Sequence, residues 1–188
     1  MSETEARQAL RLADVIDRLT LPGELYRPLE GGKVECYACG HRCVIFPGKR
    51  GICKVRFNDG GTLRVPWGYV AALQCDPAEK KPFHHVLPGS STLTFGMLGC
   101  DYACDFCLNW LTSQTLRDPA AGVQPTEVTP HQLIDLAQRH GAALVGSSYN
   151  EPLITSEWAV AVFKEAKAAG LRTCYVSNGN ATPEVLEY

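Results

Sequence analysis

A chain of 188 residues, 45% hydrophobic and 20% charged, has the composition of a globular protein, with room for one domain or a small domain joined to part of a larger one. Its formal net charge of -2 lacks the basic footprint of a nucleic-acid binder. The stretch Met1–Leu19 has no basic start followed by an apolar core, and no apolar run approaches about 18 residues, so neither a secretory signal nor a membrane span is expected.

In chain order, residues 4–19 are expected to form an amphipathic helix with Ala6, Leu10, Ala13, Ile16 and Leu19 on one stripe, ended by Leu21-Pro22-Gly23. The glycine-rich stretch between Cys36 and Cys53 reads as loops and short strands. Residues 62–74 read as extended structure broken by Pro66 and Gly68. Asp76 to Gly89 is a proline-punctuated connector, either lining a site or a solvated surface; its adjacent His84 and His85 would point to opposite faces and form no chelating pair. A boundary is placed near residue 90, giving an N-terminal region over 1–89 and a second region over 90–188.

Beyond the boundary the pattern changes. Ser91–Gly96 reads as a strand leading straight into a cysteine loop. Thr129-Pro130 supplies an N-cap and first turn for a helix that Gly141 stops. Ala142–Ser148 is a second strand, Thr155–Ala169 a second helix closed by Gly170, Leu171–Ser177 a third strand, and Thr182-Pro183 opens a further helix. Such alternation predicts an α/β fold of parallel strands joined by right-handed crossovers.

Seven of the nine cysteines fall into two tight clusters, which favours metal ligation in a reducing compartment over disulfides and so a cytoplasmic location. Cys75 and Cys174 stand alone and are expected to be buried thiols. Cys100, Cys104 and Cys107 have the spacing C-x3-C-x2-C directly after a strand. Three thiolates can hold three irons of a four-iron cluster and leave the fourth open to a small molecule; a structural zinc site is the alternative. Cys36, Cys39, Cys43 and Cys53 form a closed set suited to structural zinc, with a second iron–sulfur cluster as the alternative, because sulfur-only ligation does not choose the metal. His41 is either a further ligand or a surface residue.

The segment Gly99-Cys100-Asp101-Tyr102-Ala103-Cys104-Asp105-Phe106-Cys107-Leu108-Asn109-Trp110 resembles the motif of the radical-SAM superfamily, and Asn109 is similar to an asparagine common in enzymes related to pyruvate formate-lyase activating enzyme. Together with Cys36-Tyr-Ala-Cys39, Asp76-Pro-Ala-Glu-Lys-Lys-Pro82, Leu87-Pro-Gly-Ser90, Ser148-Tyr-Asn-Glu-Pro152 and Ser177-Asn-Gly179, it resembles the radical-SAM enzyme of the AmmeMemoRadiSam system over about residues 30–180. The resemblance implies a partial (β/α) barrel, of which about three strands are present here, preceded by a small cysteine-rich metal-binding region. It implies a [4Fe-4S] cluster on Cys100, Cys104 and Cys107, and S-adenosylmethionine near Phe106, Asn150, Glu151 and Asn178; Glu151 is equally readable as a helix N-terminal carboxylate. Tyr149 and Asn150 stand where the family has two glycines, which puts the close backbone approach there in question.

The implied activity is reductive cleavage of S-adenosylmethionine to a 5′-deoxyadenosyl radical for hydrogen abstraction, with glycyl-radical activation of a substrate protein or a small-molecule substrate as its use. An electron donor such as a flavodoxin or ferredoxin is the implied partner; no nucleic acid or membrane is. The substrate and catalytic side chains are not assigned. Two other classes fit the cysteines: a two-cluster electron carrier and a zinc-dependent interaction module. Because the alternation stops inside a helix after three strands, the chain is expected to be part of a larger catalyst.

Overall fold

The computed structural model describes residues 12–188. Of the helix expected over 4–19, residues 12–18 are described and helical (α1), with Leu12 and Ile16 buried; its earlier positions, Ala6 and Leu10 among them, lie outside the described residues.

Eight short strands follow in the first half: β1 (Thr20–Pro22), β2 (Tyr26–Pro28), β3 (Val34–Cys36), β4 (Val44–Ile45), β5 (Phe57–Asp59), β6 (Thr62–Pro66), β7 (Tyr69–Val70) and β8 (Ala72–Pro77). The second half holds β9 (Ser91–Gly96), α2 (Trp110–Ser113), β10 (Thr126–Glu127), α3 (Pro130–Arg139), β11 (Leu144–Ser147), α4 (Ser156–Ala168), β12 (Arg172–Tyr175) and α5 (Pro183–Glu187). The result is a mixed α/β structure with a four-stranded sheet in the order β12-β11-β9-β8, two three-stranded antiparallel sheets (β1-β6-β5 and β2-β3-β4) and the pair β10-β7. Among the described residues no helix is long and apolar enough to cross a membrane.

The expected βαβ alternation is present: β9, β11 and β12 are parallel, with α3 and α4 in the connections. Alternation along β9 sends Leu93 and Phe95 to one face, where they join Val145 and the apolar sides of α3 (Leu133, Ile134, Ala137) and α4 (Trp158, Ala159, Val162, Ala166) in one core. The register places Thr92 beside Leu144 and Thr94 beside Gly146, with Arg172 and Cys174 next along the same rows, so the opposite face of the sheet is partly polar. α3 begins with a capping box: Thr129 Oγ1 accepts from Gln132 N at 3.2 Å, and Gln132 Oε1 accepts from Thr129 N at 2.9 Å. Thr182 caps α5 with its side chain alone, Oγ1 accepting from Val185 N at 3.2 Å.

The structure differs from the expectation in three places. The extended segment runs to Pro77 rather than to residue 74, and as β8 it pairs antiparallel with β9, from Ala72 opposite Gly96 to Pro77 opposite Ser91. The main sheet therefore has four strands and spans residue 90. β12 ends at Tyr175, because the chain beyond it turns to meet the carboxylate of Glu151. Cys75 and Cys174 are half-buried rather than buried; Cys174 lies on the open sheet face, against which Gly146 leaves room for its sulfur.

Gly96, at the last position of β9, tolerates no side chain. A Cβ there would fall 2.5 Å from Ser148 O and 2.9 Å from Tyr149 Cδ2. The substitution Gly96→Ala is expected to cost about 1–3 kcal/mol, the usual penalty for overpacking against backbone, read as a lowered midpoint in chemical denaturation.

Candidate metal centre

The loop between β9 and α2 carries Cys100, Cys104 and Cys107 at the carboxyl end of a strand in the parallel part of the sheet, where open α/β sheets place their ligands. Its entry is fixed by Gly99. That residue has φ +83°, its N–H donates to Thr112 O at 2.9 Å, and a Cβ would collide with Cys53 O and Val55. Cys100 is half-buried, and burial raises its thiol pKa. Cys104 is exposed, and Cys107 is half-buried with its sulfur 3.3 Å from Ser113 Oγ. The donor set is soft, borne by one loop and open on the Cys104 side, which suits an iron–sulfur cluster with one iron free of protein ligands. Phe106, expected beside the cofactor, is 87% exposed and packs into no core.

The earlier cysteines sit on β3 and the loops that follow. Cys36, Cys39 and Cys53 are buried and Cys43 is half-buried. One backbone N–H turns toward a sulfur as in metal knuckles, Ile52 N donating to Cys43 Sγ at 3.5 Å, and Cys36 N donates to the Cys43 carbonyl at 2.9 Å, holding the two cysteines' backbones together. Burial pushes the thiol of Cys39 up to about 12 and that of Cys53 up to about 11. Without metal they are protonated at neutral pH, so metal ligation must displace protons. Among the described residues, three ligand atoms come within 4.8 Å of one another at Cys39, His41 and Asp101; the sulfurs of the two cysteine clusters are not drawn together to that degree.

The segment after β11 bears the other expected site residues. Tyr149 adopts φ +73°, so the left-handed backbone natural to glycine is retained although the side chain is not glycine. Its ring lies under the Lys81 ammonium, 4.8 Å from the centroid. Asn150 is buried, and its Oδ1 accepts from Met97 N at 3.0 Å, which clamps the end of β9. Glu151 is 2% exposed and fully engaged. Its Oε1 accepts from Leu153 N and Ser177 Oγ, and its Oε2 accepts from Asn178 N at 2.7 Å. Burial raises its pKa, and these donors partly offset the rise. Of its two expected roles, the helix N-terminal one is visible: Glu151 caps the 3-10 turn Pro152–Thr155. Asn178 donates from Nδ2 to Asp101 Oδ1 at 2.8 Å and accepts from Asn180 N.

Three functional-looking residues escaped the sequence reading. Asp101 is 1% exposed and collects Asn178, Asn180 and the Cys100 thiol on its two oxygens. Its only sequence signal was adjacency to Cys100. Arg56 and Glu157 form a buried bidentate pair, Nη1–Oε2 and Nη2–Oε1 both at 2.8 Å, across 101 positions of sequence. Nothing local marks either of them.

A family model described as the Radical SAM superfamily matches residues 95–188. Over 163 residues the chain is 32% identical to an uncharacterized protein of Methanocaldococcus jannaschii, a match that covers 86% of this chain and 48% of that protein. The chain thus spans about half the length of the curated relative it matches. No solved structure matches it significantly.

Proposed function

The chain belongs to the radical SAM superfamily, and from that premise we propose that Cys100, Cys104 and Cys107 hold a [4Fe-4S] cluster that binds S-adenosylmethionine. The observation that carries this reading is the three-cysteine loop at the carboxyl end of β9, with Cys104 exposed to an incoming ligand. A cluster held by three thiolates, supplied with one electron by a donor of the flavodoxin or ferredoxin class, provides the reductive cleavage of S-adenosylmethionine to methionine and a 5′-deoxyadenosyl radical.

The chain's own residues shape the seat. Asn150 holds the end of β9 through Met97, so the loop leaves the sheet at a fixed angle. Glu151 ties the exits of β11 and β12 together through Ser177 and Asn178, and Asn178 passes that constraint on to Asp101 beside Cys100. Glu151, Asn150 and Asn178 thus line the cofactor seat as a rigid wall, and Phe106 is its exposed rim. The quartet Cys36, Cys39, Cys43 and Cys53 holds a structural metal, zinc or a second cluster. Within the superfamily we place the chain with the enzymes of the AmmeMemoRadiSam system, related to the activating enzymes, on its motif order.

The test is anaerobic reconstitution of residues 1–188, with iron, sulfide and zinc counted and the reduced protein examined by electron paramagnetic resonance before and after S-adenosylmethionine is added. Equal iron and sulfide, a spectrum that changes with S-adenosylmethionine, and 5′-deoxyadenosine among the products are expected. A folded chain that takes up no iron and sulfide would falsify the reading, and a cluster indifferent to S-adenosylmethionine would favour an electron carrier. For the quartet, Cys43→Ser is expected to lose the N-terminal metal and to lower the unfolding midpoint, since structural metal binding is coupled to folding by on the order of 10 kcal/mol. An unchanged metal count would refute that assignment.

A further inference from the structure

Four separate contacts fasten the N-terminal cysteine segment to the loop of Cys100. Gly99 lies so close to the Cys53 carbonyl and Val55 that no Cβ fits between them. The Tyr102 ring packs edge-on against the His41 ring, with centroids 5.6 Å apart. Arg117 donates from Nη1 to Tyr102 O at 2.6 Å and from Nη2 to Ile52 O at 2.5 Å, bridging the two loops. The fourth contact runs from the buried Asp101 carboxylate out to the surface. Asp101 Oδ2 accepts from Asn180 Nδ2 at 3.0 Å, Asn180 Nδ2 lies 3.1 Å from His41 Nδ1, and Asn180 O accepts from Gly40 N at 2.8 Å.

These contacts alternate with the cysteines. Gly40, His41 and the Ile52–Cys53 pair lie within the quartet segment, whereas Gly99, Asp101 and Tyr102 flank Cys100. A metal drawing Cys39, Cys43 and Cys53 together therefore fixes the surface against which Gly99 to Tyr102 rest. Without it, that surface consists of a loop with only short two- and three-residue strands to hold it. A buried carboxylate with its amide donors in place is a rigid joint, and one with a donor withdrawn carries an unmet desolvation cost.

We propose that metal in the N-terminal quartet sets the conformation of the Cys100 loop, with Asp101 as the positioning residue that joins the two through Asn180 and His41. The proposal rests on the reading that the two cysteine sets hold metal. It makes the N-terminal segment a working part of the site rather than a separate stabilising module, and the coupling is reciprocal, as any linkage between two binding sites must be.

Gly40 offers a way to loosen the joint without touching a cysteine or Asp101. A Cβ at Gly40 would collide with Asn180 Oδ1 and push that side chain off Asp101. The first measurement uses the full chain carrying Cys104→Ser and Cys107→Ser, so that added zinc is held tightly only by the quartet. Hydrogen exchange at residues 99–102 is expected to slow about tenfold when zinc binds, on the scale of one hydrogen bond made or lost. Adding Gly40→Ala or Asn180→Ala should abolish that slowing while zinc stays bound. Zinc bound with no change in exchange, or an equal slowing in the Asn180→Ala chain, overturns the proposal. No zinc bound overturns the quartet reading and the proposal with it.

The second measurement uses the reconstituted chain with all nine cysteines. Gly40→Ala and Asp101→Asn should leave the iron count unchanged but alter the resonance spectrum of the reduced cluster. Asp101→Asn should also raise its midpoint potential, because a negative charge beside the reducible group is gone. A merely structural role would lower thermal stability and leave spectrum and potential where they were. Absence of any cluster in the unsubstituted chain would sink the function proposed above, and the exchange experiment would still decide the joint.

Discussion

Replacing Arg56 by methionine is expected to destabilise the fold by about 3–5 kcal/mol, the cost of leaving a buried charge without its partner. Arg56 and Glu157 are 1% and 3% exposed, and two parallel bonds at 2.8 Å join them. Arg56 Nη1 also donates to Ile154 O at 2.9 Å, whereas Nε is buried without a partner among the described residues, so the guanidinium is held chiefly by Glu157. Apart from Arg56, Glu157 accepts long contacts from the Glu24 and Leu25 amides, at 3.3 and 3.4 Å. The double change Arg56→Met with Glu157→Leu should recover most of the loss, because burying two apolar groups avoids the desolvation of both ions. A full loss retained in the double variant would argue against the account.

The pair also sets an acid limit. Burial pushes the Glu157 pKa up, but the Arg56 charge and hydrogen bonds more than offset this and leave it below the ordinary glutamate value. Arg56 is desolvated as well, and its bidentate pairing with the Glu157 carboxylate keeps the guanidinium charged. A carboxyl lowered in the folded state stabilises the protein above the unfolded glutamate value of about 4.3 and loses that contribution as pH falls through the folded value. Unfolding free energy should therefore drop as pH falls below about 4, and Glu157→Gln should flatten that part of the profile from a lower starting stability.

Sequence logic succeeded wherever the signal was local. Thr129-Pro130 and Thr182-Pro183 mark their helix starts because a cap needs only residues within one turn. Gly141 and Gly170 end α3 and α4 at φ +62° and +79°, a conformation that glycine adopts without strain. Ser91–Gly96 is a strand in the structure as in the reading, since its run is short and β-branched, alternates Leu93 and Phe95 with Thr92 and Thr94, and is followed by a loop. The failures are non-local. Whether residues 72–77 pair with β9 depends on the company the rest of the sheet provides, and their own pattern does not state it. Asp101 carries meaning only once Asn178 and Asn180 are brought within 3.0 Å of it from 77 and 79 positions away. Glu151 was legible as an acid at a helix start, but its grip on Ser177 and Asn178 depends on β12 lying parallel to β11.

Cys104→Ala is expected to abolish assembly of the cluster on the Cys100–Cys107 loop and bring S-adenosylmethionine cleavage to background, while changing stability by no more than about 0.5 kcal/mol in the metal-free chain. The three cysteines are not equivalent as tests. Cys100 touches the buried Asp101, and Cys107 lies against Ser113, so alanine at either site disturbs packing as well as ligation. Cys104 is exposed, and its carbonyl rather than its sulfur is tied in, accepting from Cys107 N at 3.2 Å. Removing that sulfur deletes a ligand and little else. Two remaining thiolates cannot hold three irons, so the open fourth iron is lost together with the cluster. Serine at Cys104 keeps nearly the same shape but offers a hard, poorly ionised oxygen, and should fail almost as completely. Far-ultraviolet circular dichroism and chemical denaturation of the apo variants provide the control for folding. If Cys104→Ala retains iron, sulfide and a spectrum that responds to S-adenosylmethionine, the ligand set is wrong, and the exposed loop between β9 and α2 must be doing something else.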